Sequence, residues 1–169
     1  MATLEKIEFE EFGPYRFIGR SVYARPWSGD IFGGMWCNSE HIFEALDKLS
    51  DYETTENDKV ALLTWDKYSE EKPMMGYTVG RFMKAETPVP QGLDYFDIPL
   101  VIVAKGSMKG IFCEMIQNQC TLTHNAIKEQ TKYSLAECKD YFEAEVYTKD
   151  TIPEDGVEST MKYYISCKK

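Results

Sequence analysis

Between Arg16 and the last residue, the same order of elements occurs twice, and that repetition limits the folds open to this chain. "RFIGRSVYARP" (Arg16–Pro26) alternates as a strand does, and Pro26 ends it. A helical pattern follows over 30–49, clearest in "SEHIFEALDKL", where Ile42, Phe43, Leu46 and Leu49 recur at helical spacing. "VALLTWD" and "MMGYTVGRFMKA" then read as two strands. "ETPVPQGLD", rich in Pro and Gly, is the expected internal boundary. Beyond it come a strand in "IPLVIVAKG", a helix within 111–130, and strands in "YFEAEVYT" and "STMKYYISC". Corresponding elements are offset by roughly 80 residues, as expected of a duplicated unit. Each half reads strand, helix, strand, strand.

The expectation is therefore one α+β domain over residues 1–169, with internal halves at 1–87 and 88–169. Helices would lie on one face of antiparallel sheets. If the halves pair about a pseudo-twofold axis, a groove opens between the helices, a usual place for a small-molecule site.

Charge narrows the function classes. The 169 residues carry a net charge of −9, which repels phosphate. No Lys/Arg cluster stands out, so neither nucleic acid nor an anionic membrane is an expected partner. Cationic ligands and basic proteins remain compatible. Aromatic residues reach 14%, enough to wall a cavity as well as fill a core. The five cysteines form no CxxC pair, and only His41 and His124 could join them. His41 reads as a surface residue. His124 lies at helical spacing from Cys120, but two donors make no metal site, and neither metal nor cofactor is expected. Trp27, Trp65 and Phe43 read as structural. The charged opening "MATLEKIEFEEF" is unlike a signal peptide, and no apolar run reaches membrane-spanning length, so a cytoplasmic location is expected.

"MGYTVGRFMKAETPVPQGLDYFDIPLVIVAKG" resembles the middle of the GyrI-like effector-binding domains, with their "VPxGL" turn and following "IP". "AEVYTKD" and "MKYYISCKK" resemble the same family's Phe-Glu-x-Tyr strand and its last, Tyr-bearing strand. That family includes the drug-sensing domains of MerR- and AraC-type regulators, stand-alone ligand binders, a gyrase-modulating protein and some hydrolases of cyclopropane-bearing toxins. The resemblance implies a stand-alone binder of cationic, amphipathic aromatic compounds. It makes Glu145 the counter-charge in an aromatic cavity, with Tyr147 beside it and Tyr163 on the wall. Ala144 stands where the family has Phe. A competing register would use Phe142 and Glu143, but it puts Glu145 where Tyr belongs. Tyr77, on the strand matched with Tyr141–Thr148, and Trp36, near the cavity mouth, complete the expected ligand-binding set.

Two rivals stand beside this reading. In a hydrolase, Glu145 would act as general base and a tyrosine as acid. In a protein-interaction module, the partner would be gyrase or a regulator. Glu143 and Glu145 share a face if the strand is regular. Glu143, nearer the polar "ECKD" connector, is expected to be solvated, and Glu145 to lie deeper.

Overall fold

The computed structural model describes residues 1–169 and shows an α+β protein of nine strands and three helices. The chain divides into two compact units. One is the continuous stretch Gly13–Leu100; the other combines Met1–Phe12 with Val101–Lys169.

The continuous unit contains β2 (Tyr15–Ala24), α1 (Gly29–Cys37), α2 (Glu40–Asp47), β3 (Lys59–Thr64), β4 (Met75–Lys84) and β5 (Asp94–Ile98). Its strands are antiparallel, in the order β3-β4-β2-β5. The helix expected over 30–49 is two helices, separated at Asn38–Ser39. Ser39 is buried, and its hydroxyl donates to the Trp36 carbonyl at the end of α1. On α2, Ile42, Phe43 and Leu46 are buried, and Asp47 pairs with Arg81 of β4 at 2.8 Å. Where β2 crosses β4, Gly19 pairs with Gly80, and a Cβ on Gly80 would come within 2.0 Å of the Ile18 carbonyl oxygen. Only glycine fits there.

The other unit contains β1 (Thr3–Phe12), β6 (Val101–Ile111), α3 (Phe112–Glu129), β7 (Ser134–Leu135), β8 (Phe142–Tyr147) and β9 (Glu158–Lys168). Its antiparallel order is β1-β6-β9-β8, with β7 on the end of β9. Helix α3 packs on β6, β9 and β1. Beneath it lie Ala104, Met108, Met161, Tyr163 and Ile165, meeting Met115 and Ile127 from the helix. Glu114 in its first turn and Lys128 in its last suit the helix dipole. Beyond its end, the Gln130 amide donates to the Ile127 and Tyr133 carbonyls and accepts from the Lys132 and Tyr133 amides.

The two units repeat one topology. β2 corresponds to β6, β3 to β8, β4 to β9, and the outer strand β5 to β1. The division departs from the halves read at residue 87. "ETPVPQGLD" connects β4 to β5 within one unit, and the chain changes unit after Leu100. The reason is backbone pairing: β5 returns to bond with Tyr15–Gly19, whereas β1 bonds with β6 far along the chain.

Candidate functional site

β8 places alternate side chains on the face covered by α3, so Glu143, Glu145 and Tyr147 point the same way. Both glutamates are buried, at 4% and 8% exposure. This corrects the expectation that Glu143 is solvated: side chains of α3 reach over both residues, Gln119 to Glu145 and Cys120 and His124 to Glu143, and distance along the strand does not measure depth.

Burying a carboxylate costs several kcal/mol unless hydrogen bonds compensate it. Glu145 Oε1 accepts from Gln119 Nε2 at 2.7 Å, and Oε2 accepts from the Tyr147 hydroxyl at 2.7 Å. The Phe112 ring lies 5.9 Å from that of Tyr147. Gln119 comes from the buried face of α3, where Met115, Gln119, Thr123 and Ile127 follow at four-residue intervals. The Gln119 Oε1 and Thr123 Oγ1 atoms are buried there without a hydrogen-bond partner.

Glu143 sits in a denser network. Tyr163 donates its hydroxyl to Oε2, and Tyr141 donates to Oε1. His124 Nε2 lies 3.0 Å from Oε1, and Cys120 Sγ lies 3.9 Å from it. Burial alone would raise the Glu143 pKa, but hydrogen bonds from His124, Tyr141 and Tyr163 outweigh it and hold the carboxyl below its ordinary range. His124 is pushed up to about 9, first by its hydrogen bond with Cys120 and then by that with Glu143. Burial, with the Glu143 charge beside it, raises the Tyr163 hydroxyl well above its usual value.

The five residues expected to bind ligand fall into two groups. Glu145, Tyr147 and Tyr163 come together beneath α3, although Tyr163 donates to Glu143. Trp36 and Tyr77 come together in the continuous unit, where Trp36 Nε1 donates to the Tyr77 hydroxyl at 2.9 Å. Phe32 stacks on Tyr77 at 4.7 Å, and Trp36 on Phe43 at 6.4 Å. Tyr77 is on β4, the counterpart of the strand that carries Tyr163, not of Tyr141–Thr148 as the spacing suggested. The pairing is consistent: Tyr77 lies opposite Leu63 of β3, as Tyr163 lies opposite Glu145 of β8.

Two further expectations need correction. Trp27 is not a packing residue, being 82% exposed at a backbone φ of 67°. Cys120 and His124 do have a third donor, since Glu143 reaches both from β8. Sequence reading also missed Gln119 and Tyr141. The available signal was a polar Gln119 and Thr123 on the helix stripe shared with Met115 and Ile127.

No family profile and no curated protein sequence matches this chain. Solved structures do share its fold. The integron cassette protein VCH_CASS2 from the mobile metagenome of Vibrio cholerae is 13% identical, over 99% of each chain, with a TM-score of 0.62. SAV2435, solved bound to tetraphenylphosphonium, is 11% identical over 96% of this chain and 94% of that one, with a TM-score of 0.67. The EcmrR C-terminal domain is 14% identical over 97% and 98%, with a TM-score of 0.56. At such identities the likeness shows the fold alone.

Proposed function

We propose that this chain binds small cationic, amphipathic aromatic compounds in the manner of GyrI-like effector-binding domains, with Glu145 as the counter-charge. The carrying observation is a buried carboxylate whose two oxygens accept from an amide and a phenol, beside the rings of Tyr147 and Phe112. A lipophilic cation adds a charge–charge attraction to the buried carboxylate that a neutral ligand of the same shape lacks. Each aromatic face adds about 0.5–2 kcal/mol through cation–π attraction. Tyr163 borders the same carboxylates, and Trp36 with Tyr77 offers an aromatic surface in the other unit. Support also comes from the bound ligand of SAV2435, a cation carrying phenyl groups on a chain of this fold. EcmrR, whose C-terminal domain shares this fold, is seen in complex with DNA, which supports a role exerted through a DNA-bound protein.

Tetraphenylphosphonium and tetraphenylborate have nearly the same shape and opposite charge, so the pair isolates the role of the carboxylate. Calorimetric titration is expected to show micromolar binding of the phosphonium and none of the borate. Equal affinity for the two ions would overturn the proposal.

A further inference from the structure

Beside the carboxylate assigned to ligand binding, a different set of donors converges. Cys120 and His124 are four residues apart on α3 and so share one side of the helix. Glu143 reaches both from β8. The Cys120 Sγ, a ring nitrogen of His124 and one Glu143 carboxylate oxygen all lie within 4.8 Å of one another. We propose that Cys120, His124 and Glu143 form a binding site for a borderline-soft divalent cation, zinc above all. The proposal uses Glu143 rather than Glu145, so it stands or falls apart from the ligand reading.

The donor types fit zinc. Thiolate, imidazole and carboxylate are its usual protein ligands, and three of them leave a fourth position for water. Around one zinc ion, such donors stand roughly 3.2–3.6 Å apart. Here His124 Nε2 is 3.0 Å, and Cys120 Sγ 3.9 Å, from the same Glu143 oxygen. Both separations differ from that range by only a few tenths of an ångström.

Charge fits as well. When the metal binds, the Cys120 thiol and the His124 ring, where it is protonated, release their protons to solvent, and the thiolate takes its place on the ion. One thiolate and one carboxylate then neutralise the dication, and His124 coordinates as neutral imidazole. Magnesium and calcium, which prefer all-oxygen ligands, fit this set poorly.

The surroundings fit the needs of an outer shell. Tyr163 donates to the second oxygen of Glu143 and fixes the carboxylate's orientation. The Tyr141 hydroxyl is within 3.2 Å of His124 Nε2 and also reaches Glu143, so it can hydrogen-bond water in the fourth position. Cys120 and His124 are half-buried, so an ion can enter from solvent.

Cobalt(II) reports this geometry directly, through a thiolate-to-metal charge-transfer band and the visible bands of tetrahedral coordination. The full chain, reduced and metal-free, is titrated with cobalt(II) and then with zinc(II). The expected result is one equivalent of cobalt with a thiolate band, displaced by zinc. Cys120→Ser is expected to abolish the band, and His124→Ala to weaken binding at least tenfold. Cys37→Ser and His41→Ala, which remove surface donors, should change nothing. A measurement on the unaltered protein avoids any folding defect. Zinc should protect Cys120 from alkylation, read by mass spectrometry, while exposed Cys37, Cys113 and Cys138 stay reactive. No thiolate band in the native chain, a band surviving Cys120→Ser, or equal Cys120 labelling with and without zinc would each overturn the site.

Discussion

Glu143 and Glu145 lie two residues apart on one face of β8, yet they have different hydrogen-bond partners, so their substitutions are expected to act differently. Glu145→Gln removes the charge but keeps the shape, and Gln119 and Tyr147 can still bond to the amide. Calorimetry is expected to show at least a tenfold loss of affinity for tetraphenylphosphonium, about 1.4 kcal/mol, with an unchanged circular dichroism spectrum. Glu143→Gln weakens the acceptor of two phenols and an imidazole, so its effect belongs to stability. Urea denaturation should show a loss of about 1–3 kcal/mol. The same pair gives a pH dependence. His124 is raised above its ordinary 6.5 to about 9, so its contribution is complete below 6.5 and is lost as pH rises through 9. Glu143 is lowered from its ordinary 4.5, so its contribution is present above that value and is lost as pH falls through its folded pKa. Thermal melts of the metal-free chain should therefore decline at both ends, and His124→Gln should flatten the alkaline decline. The residue identities in this network were partly legible beforehand. The resemblance named Glu145, Tyr147 and Tyr163, which the structure brings together beneath α3, but the depth of Glu143 was not legible, because side chains from a helix earlier in the chain reach over β8.

At the scale of elements, α3 carries the site and Gln130 anchors its end. The Gln130 side chain alone makes four hydrogen bonds to backbone groups that would otherwise lack these partners. Gln130→Ala should cost about 1–3 kcal/mol in urea denaturation, and hydrogen exchange should show the last turn of α3 fraying. Periodicity made α2 and α3 readable, since their buried residues recur about every four, whereas β3 and β4 were readable as apolar runs buried on both faces. It could not show the break between α1 and α2, because the apolar spacing continues through Asn38 and Ser39 while the backbone does not. Nor could it match β4 with β9: order along the chain names the elements, but hydrogen bonding decides which are neighbours.

For the whole molecule, charge is the property most directly readable. With a net charge of −9, the chain is expected to shift no DNA in a gel at physiological salt and micromolar protein. A shift that weakens as salt rises would contradict this. No helix is long and apolar enough to cross a membrane. The placing of the outer strands was not legible, because "TLEKIEFEEF" and "DYFDI" are both charged or polar stretches and neither carries a mark of its distant partner.

That placing sets an order of events during synthesis. Residues 13–100 form a contiguous piece that can fold as soon as it leaves the ribosome. The strand ahead of them cannot settle, because Phe12 pairs with Val101 and Thr3 with Lys109, which are translated only after that piece. Until then, the nascent chain carries a ten-residue strand without its neighbour, and without β1 the strand β6 would present an open edge bearing Val101, Ile102 and Val103. A fragment of residues 101–169 made alone should therefore aggregate, as read by size-exclusion chromatography. A peptide of residues 1–12 supplied in trans should restore a soluble species, because the missing β1 is what closes that edge.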